Sequence, residues 1–369
     1  MEVAVITRHA IANYGSLLQA AATQNALETL GHNCRIIDYV RPGEVCTQLH
    51  KYQLQQKPRW NRTPLRRRVY GTLCYTENVM AGRLFESARR QMLHLTAPYS
   101  TAQELTANGP KADVYMTGSD QVWGPMEDGT YDPVYRLTFA PEGAKKVAYA
   151  ASFGSTELSK PLRGQFCRDL RQYATITVQE DSAIALLHQL GLEGKQVIDP
   201  VFLPDDAFWQ SLLEPINAAP GSYFLIYQMH KDPALCAYAK AAAKAAGKPL
   251  LRLSASVHQA TWGGKFIYVP TPGQFLHYIK NAACVITDSF HGTAFSLRFG
   301  VPFAEVLPTN CTGTCNHSLL TLTGLQSRLV TDPADTALTA TPINYAPVHK
   351  KIETARTASL SLLREMIEK

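Results

Sequence analysis

The chain has 369 residues, of which 46% are hydrophobic and 18% charged. That length suits two or three domains, because single hydrophobic cores rarely grow past about 250–300 residues, and the composition excludes a disordered chain. The opening Met-Glu-Val-Ala-Val-Ile-Thr-Arg has no basic segment leading into an apolar stretch. No run approaches the roughly 18 apolar residues of a spanning helix, so a soluble, cytoplasmic protein is expected.

The net charge of +6 is unevenly spread. Ten cations, among them Lys51 and the run Arg66-Arg67-Arg68, face only Glu77 and Glu86 between Val45 and Leu95, giving this segment +8 and the remainder −2. A local basic block predicts an anionic partner at one place, such as a lipid-linked acceptor or the inner face of a membrane; a solvated loop and helix face is the alternative. No zinc-finger or RRM-type motif accompanies it, so no nucleic-acid partner is expected. The eight cysteines are scattered, which favours reduced thiols. Cys311, Cys315 and His317 lie close together without a second ligand pair elsewhere, and no metal site is expected.

In chain order, Glu2–Thr7 reads as a strand, Ser16–Leu30 as a helix stopped by Gly31, and Cys34–Tyr39 as a second strand, a parallel βαβ unit. The basic block then reads as an insertion at about 45–110 made of loops and short helices. Strands follow at Asp113–Thr117, Lys146–Ala151, Thr175–Val178 and Gln196–Ile198, with a helix over Ser182–Leu190. Asp199-Pro200 and Pro204 mark a domain boundary, placed at 205, because proline cannot continue a central strand. The second half repeats the pattern: strand Tyr223–Gln228, helix Pro233–Ala246, strand Pro249–Leu253, helix Pro272–Asn281, strand Cys284–Thr287 and a helix to Phe299 closed by Gly300. The expectation is two Rossmann-like α/β/α domains facing a cleft, at 1–205 and 206–345, closed by a C-terminal helix over 346–369.

In open parallel sheets, ligands bind beyond the carboxyl ends of strands. Three loops have suitable composition: Arg8 to Ser16, Gly118-Ser119-Asp120-Gln121, and Asp288-Ser289-Phe290-His291-Gly292-Thr293. The third is the sharpest. Asp288 and Ser289 are candidate N-caps, and the amides of Gly292 and Thr293 at a helix start favour a phosphate or carboxylate. His291 adds a group able to exchange a proton near neutral pH; a histidine that only hydrogen-bonds a neighbouring carbonyl is the alternative. Neither Gly-x-Gly-x-x-Gly nor a Walker A sequence is present, which disfavours ordinary NAD or P-loop chemistry.

Asn13-Tyr14-Gly15-Ser16-Leu17-Leu18-Gln19, Gly118-Ser119-Asp120-Gln121-Val122-Trp123, Tyr149-Ala150-Ala151-Ser152-Phe153-Gly154, Asp199-Pro200 and Thr287 through Ser296 together resemble the polysaccharide pyruvyl transferase family, in order and over nearly the whole chain. The resemblance implies a GT-B-like fold. It also implies transfer of an enolpyruvyl unit from phosphoenolpyruvate onto sugar hydroxyls as a pyruvate ketal, in polysaccharide (including exopolysaccharide) or glycan biosynthesis. Two departures stand out. Gln179 replaces an arginine that many members carry after their corresponding strand, and Ser289-Phe290 replaces Arg-Leu before the histidine.

Ketal formation requires anion-binding groups, a general acid for the methylene carbon and a base for the hydroxyl, and no metal or cofactor. The expected roles are His291 as acid/base or phosphate ligand. Asp288, Ser289, Phe290, Gly292, Thr293, Gln179, Lys265 and Arg252 are placed on the donor side. Arg8, His9, Asn13, Gly15, Ser119, Asp120 and Gln121 are placed on the acceptor side, with Arg8, His9 and Lys265 as candidate cations. A GT-B glycosyltransferase using a nucleotide sugar, and a non-catalytic glycan-binding protein, are the competing readings.

Overall fold

A computed structural model describes residues 1–41, 44–45, 54, 57–126, 129–308 and 313–369, and for 73–78 the backbone alone. Lys51, Cys46 and Cys311, and the side chains of Cys74 and Glu77, lie outside what is described. The chain divides into two compact units, Met1–Pro200 with Leu360–Lys369, and Val201–Ser359. No helix among the described residues is long and apolar enough to cross a membrane.

The first unit is built on a seven-stranded, wholly parallel sheet: β1 (Glu2–Ile6), β2 (Asn33–Tyr39), β3 (Leu95–Tyr99), β4 (Val114–Thr117), β5 (Lys145–Ala151), β6 (Thr175–Val178) and β7 (Lys195–Gln196), in the order β3-β2-β1-β4-β5-β6-β7. Its central strands are continuous apolar runs such as Val-Ala-Val-Ile because both faces are covered. The helix Tyr14–Thr29 is buried on nearly every side, since a second layer covers it. The basic insertion carries the helix Pro64–Met92, whose Phe85 ring lies 4.9 Å from that of Tyr14. The start of that long helix is exposed from Pro64 to Val69, whereas Ala81, Phe85, Ala88 and Arg89 are buried.

The insertion therefore contains more than loops and short helices. It also supplies β3, the edge strand beside β2. Leu-Thr-Ala-Pro-Tyr shows no apolar alternation, and its Pro98 is tolerated because one side of an edge strand needs no amide donor.

The second unit holds a five-stranded parallel sheet: β8 (Phe224–Tyr227), β9 (Leu250–Ser254), β10 (Lys265–Tyr268), β11 (Cys284–Thr287) and β12 (Phe303–Glu305), in the order β10-β9-β8-β11-β12. Phe224, Ile226, Leu235, Tyr238 and Ile286 centre its core. Lys265 opens β10, paired to Leu251, directly after the bend at Gly263-Gly264. The C-terminal helix spans Tyr345–Glu368.

Candidate functional site

Strand order locates the ligand-binding edge of each sheet. In the second unit, β8 leads to β9 on one side while β11 leads to β12 on the other, so the chain diverges after β8 and β11. Loops at such a point splay apart and leave a crevice. Here the two loops are joined by one carboxylate. Asp288 accepts hydrogen bonds from the amides of Met229 (2.6 Å) and His230 (2.9 Å) and from His230 Nδ1 (3.1 Å). The carboxylate is 2% exposed and the imidazole 40%. The hydrogen bond to Asp288, opposed by burial, raises the pKa of His230 above the ordinary histidine value.

Ser289 caps the helix Phe290–Phe299: its hydroxyl accepts from Gly292 N (3.3 Å) and its carbonyl from Thr293 N (3.0 Å). These two amides were the expected anion cradle, and both are already satisfied. The first-turn amides of Phe290 and His291 have no acceptor within the helix and are the ones left for an anion. Gly292 is required by packing. A Cβ there would lie 2.5 Å from Thr287 Oγ1, which itself donates to the Tyr227 carbonyl at 2.6 Å. His291 is half-buried, its ring edge-on to Phe290 with 5.1 Å between centroids. Its Nε2 is buried without a protein hydrogen-bond partner, so no neighbouring carbonyl consumes that nitrogen. Behind the helix, fully buried Glu305 accepts from Thr293 Oγ1 (2.7 Å) and from Asn316 Nδ2. Burial pushes its carboxyl up to about 7.

Two expected cations do not face a ligand. Arg252 is fully buried. Its guanidinium donates to the Gly263 carbonyl (2.8 Å), Gln228 Oε1 (2.8 Å) and Cys236 Sγ (3.3 Å). Gln228 in turn donates to the carbonyls of His230 (2.8 Å) and Asp232 (3.1 Å), so Arg252 braces the loop that carries His230. Lys265 is exposed at the amino end of β10, the opposite edge of the sheet from the loops after β8 and β11.

In the first unit the corresponding divergence lies between β1 and β4. Thr7 Oγ1 donates to the Ser119 carbonyl (2.8 Å), and Ser16 Oγ to Asp120 Oδ2 (2.5 Å). Asp120 has φ +81°, a left-handed conformation held by its own carboxylate accepting from Gln121 N at 2.7 Å. Asn13 caps the Tyr14–Thr29 helix, accepting from Gly15 N (2.8 Å) and Ser16 N (3.3 Å). Ser119 Oγ and Gln179 Nε2 both donate to Asp199 Oδ2, at 3.0 and 2.9 Å. Gln179, expected on the donor side, thus belongs to the first unit with Ser119.

Arg8 and His9 also depart from expectation. Arg8 is buried against Glu44 at 3.2 Å. His9 is buried with Nε2 on the Ile37 carbonyl (3.0 Å) and Nδ1 near Arg89 Nη1 (3.5 Å). Burial, reinforced by the Arg89 charge, lowers its pKa to about 4. A histidine so placed is neutral near pH 7 and offers no cation.

His230, Glu305 and the brace from Arg252 escaped the sequence reading. His230 lies shortly after the end of β8, as His291 does after β11, but only strand order shows that β8 and β11 are neighbours.

The polysaccharide pyruvyl transferase family profile matches residues 13–308. No curated protein sequence is significantly similar. Among solved structures, the chain is similar to UDP-GlcNAc 2-epimerase from Neisseria meningitidis bound to UDP-GlcNAc, with TM-score 0.50, 9% identity and 99% of each chain covered. A UDP-N-acetylglucosamine 2-epimerase from Rickettsia bellii aligns with TM-score 0.48, 11% identity and 98% of each chain covered. The spinosyn rhamnosyltransferase aligns with TM-score 0.46 and 13% identity over 100% of this chain and 95% of its own. At these identities the likeness concerns fold alone, that of GT-B enzymes built from two Rossmann-like units. With four-fifths of its length matched by the family profile, the chain belongs to the polysaccharide pyruvyl transferase family.

Proposed function

We propose that this chain transfers an enolpyruvyl unit from phosphoenolpyruvate to two hydroxyls of a sugar, forming a pyruvate ketal and releasing phosphate. Beside family membership, the observation that carries this reading is the edge of the second unit. A capped helix start with two available amides and a partnerless imidazole nitrogen is suited to a small dianionic substrate. His291 acts there as proton-transfer group or phosphate ligand. Asp288 and Ser289 shape the loop, and Phe290 fixes the imidazole edge. In the first unit, Asp120 and Gln121, with Asn13 and Gly15 setting the helix start and Ser119 buried beneath them on Asp199, supply carboxylate and amide groups for a polyhydroxylated acceptor. The test is incubation with phosphoenolpyruvate and a panel of sugars, following phosphate release and mass gain on the acceptor. Stabilisation by a nucleoside diphosphate, with none by phosphoenolpyruvate, would favour the nucleotide-sugar alternative. Acceptor binding without turnover would favour the glycan-binding one.

Gln179→Arg is expected to fold and to leave phosphoenolpyruvate affinity within about twofold. Asp199 stands where the new guanidinium would reach, and an ion pair with it leaves no free charge for the donor. Isothermal titration checks this; a marked tightening would return Gln179 to the donor site.

A lipid-linked acceptor is consistent with the exposed start of the Pro64–Met92 helix. There Arg66, Arg67 and Arg68 are interleaved with Leu65 (73% exposed) and Val69 (43%). Binding to phosphatidylserine vesicles is expected at low salt and is lost as ionic strength rises. The triple change Arg66→Glu, Arg67→Glu, Arg68→Glu should abolish it; vesicle sedimentation unaffected by that change would refute the attachment.

A further inference from the structure

Pyruvyl transfer needs more than one proton movement, and the second unit presents two imidazoles on neighbouring loops. Only one of them is held by a carboxylate. His230 follows β8, and its Nδ1 is committed to Asp288, which follows β11, at 3.1 Å. Asp288 is fixed in turn by the Met229 and His230 amides. The Arg252–Gln228 brace anchors the His230 carbonyl from the other side. With Nδ1 occupied, Nε2 is the nitrogen free to reach a substrate, and 40% exposure gives it access. A buried carboxylate holding one face of a half-exposed imidazole is the usual way of fixing both tautomer and orientation in proton transfer.

We infer that His230, positioned by Asp288, is the general acid that protonates the methylene carbon of phosphoenolpyruvate; this rests on the pyruvyl-transfer reading above. The C2=C3 π pair forms the new C3–H bond as the Nε2–H bond breaks and leaves its electrons on the ring. C2 becomes electrophilic and one sugar hydroxyl oxygen adds to it. The C2–O bond to phosphate then breaks with its electron pair, and the second hydroxyl adds. Of the two protons lost from the hydroxyls, one restores His230 and the other departs on phosphate, so the cycle closes without an oxidant, reductant or further reactant. His291, three residues beyond Asp288, is then left for the hydroxyl proton or the phosphate.

The charges around this pair favour the protonated form of the imidazole. Asp288 faces His230 directly and raises its pKa. Lys231 and Asp232 flank it on its own loop. Arg252 from β9, Glu305 at the end of β12 and the Tyr227 hydroxyl at the end of β8 each interact with Asp288.

The experiment measures phosphate release from phosphoenolpyruvate with the responsive sugar acceptor, across pH, for the wild type, His230→Gln and Asp288→Asn. Thermal melting confirms folding. His230→Gln is expected to lose about 10²–10⁴ in kcat with KM for phosphoenolpyruvate within a fewfold, and to lose the basic limb of the kcat–pH profile. Asp288→Asn should move that limb to lower pH, a shift that a purely structural role would not produce. Turnover in the wild type that persists in His230→Gln, or a basic limb unmoved in Asp288→Asn, overturns the inference and leaves the pyruvyl-transfer reading standing. No phosphate release by the wild type with any acceptor overturns both.

Discussion

His291→Gln is expected to lose about 10²–10⁴ of turnover, the usual effect of removing a positioned proton-transfer group, while its melting temperature stays near that of the wild type. His291 lies on the first turn of the Phe290–Phe299 helix, half-buried, and its Nε2 has no protein partner to lose. Glutamine keeps the polar reach of the side chain and removes the ability to cycle a proton. His291→Ala should fold as well, because the cap at Ser289 and the packing of Gly292 on Thr287 hold the helix start independently of the imidazole. Near-normal turnover in both variants would remove His291 from the mechanism. A collapse of melting temperature in both would assign it to packing.

The second large effect concerns stability and its pH dependence. Glu305 is fully buried between Thr293 and Asn316, and burial pushes its carboxyl up to about 7. In the unfolded chain the same group ionises near 4.5. Between these values the folded state binds the extra proton. The stabilisation is therefore complete below about pH 4.5 and lost as pH rises through about 7. The span corresponds to roughly 3–4 kcal/mol. Glu305→Gln does not ionise, and its amide can donate to Thr293 Oγ1 and accept from Asn316. The variant is expected to match the wild type near pH 5 and to exceed it at pH 8, by roughly 5–10 °C in melting temperature. Comparing the two proteins cancels His9, whose lowered pKa acts in the opposite sense: its contribution is present above about 6.5 and is lost as pH falls towards about 4. A gap between the two proteins that does not change with pH would show that Glu305 is already ionised when folded.

The local parts of the fold were legible from the order of residues alone. Apolar runs such as Val-Ala-Val-Ile and Cys-Val-Ile-Thr, each followed by a polar loop and a helix, specify parallel α/β units, because a strand buried on both faces needs that composition. Ser289 was legible as a cap because capping depends on neighbours two or three residues away. The family motifs were likewise readable in order. Tertiary structure alone decided what depends on strand order and burial. It brought His230 to Asp288, 58 residues apart in the chain, and placed Gln179 and Ser119 on the same Asp199 oxygen. It turned Arg252 from a candidate ligand into a buried brace and His9 from a candidate cation into a neutral ring. Whether a charged side chain meets a ligand or a carbonyl is set by long-range packing, and local sequence does not encode which strand lies beside which.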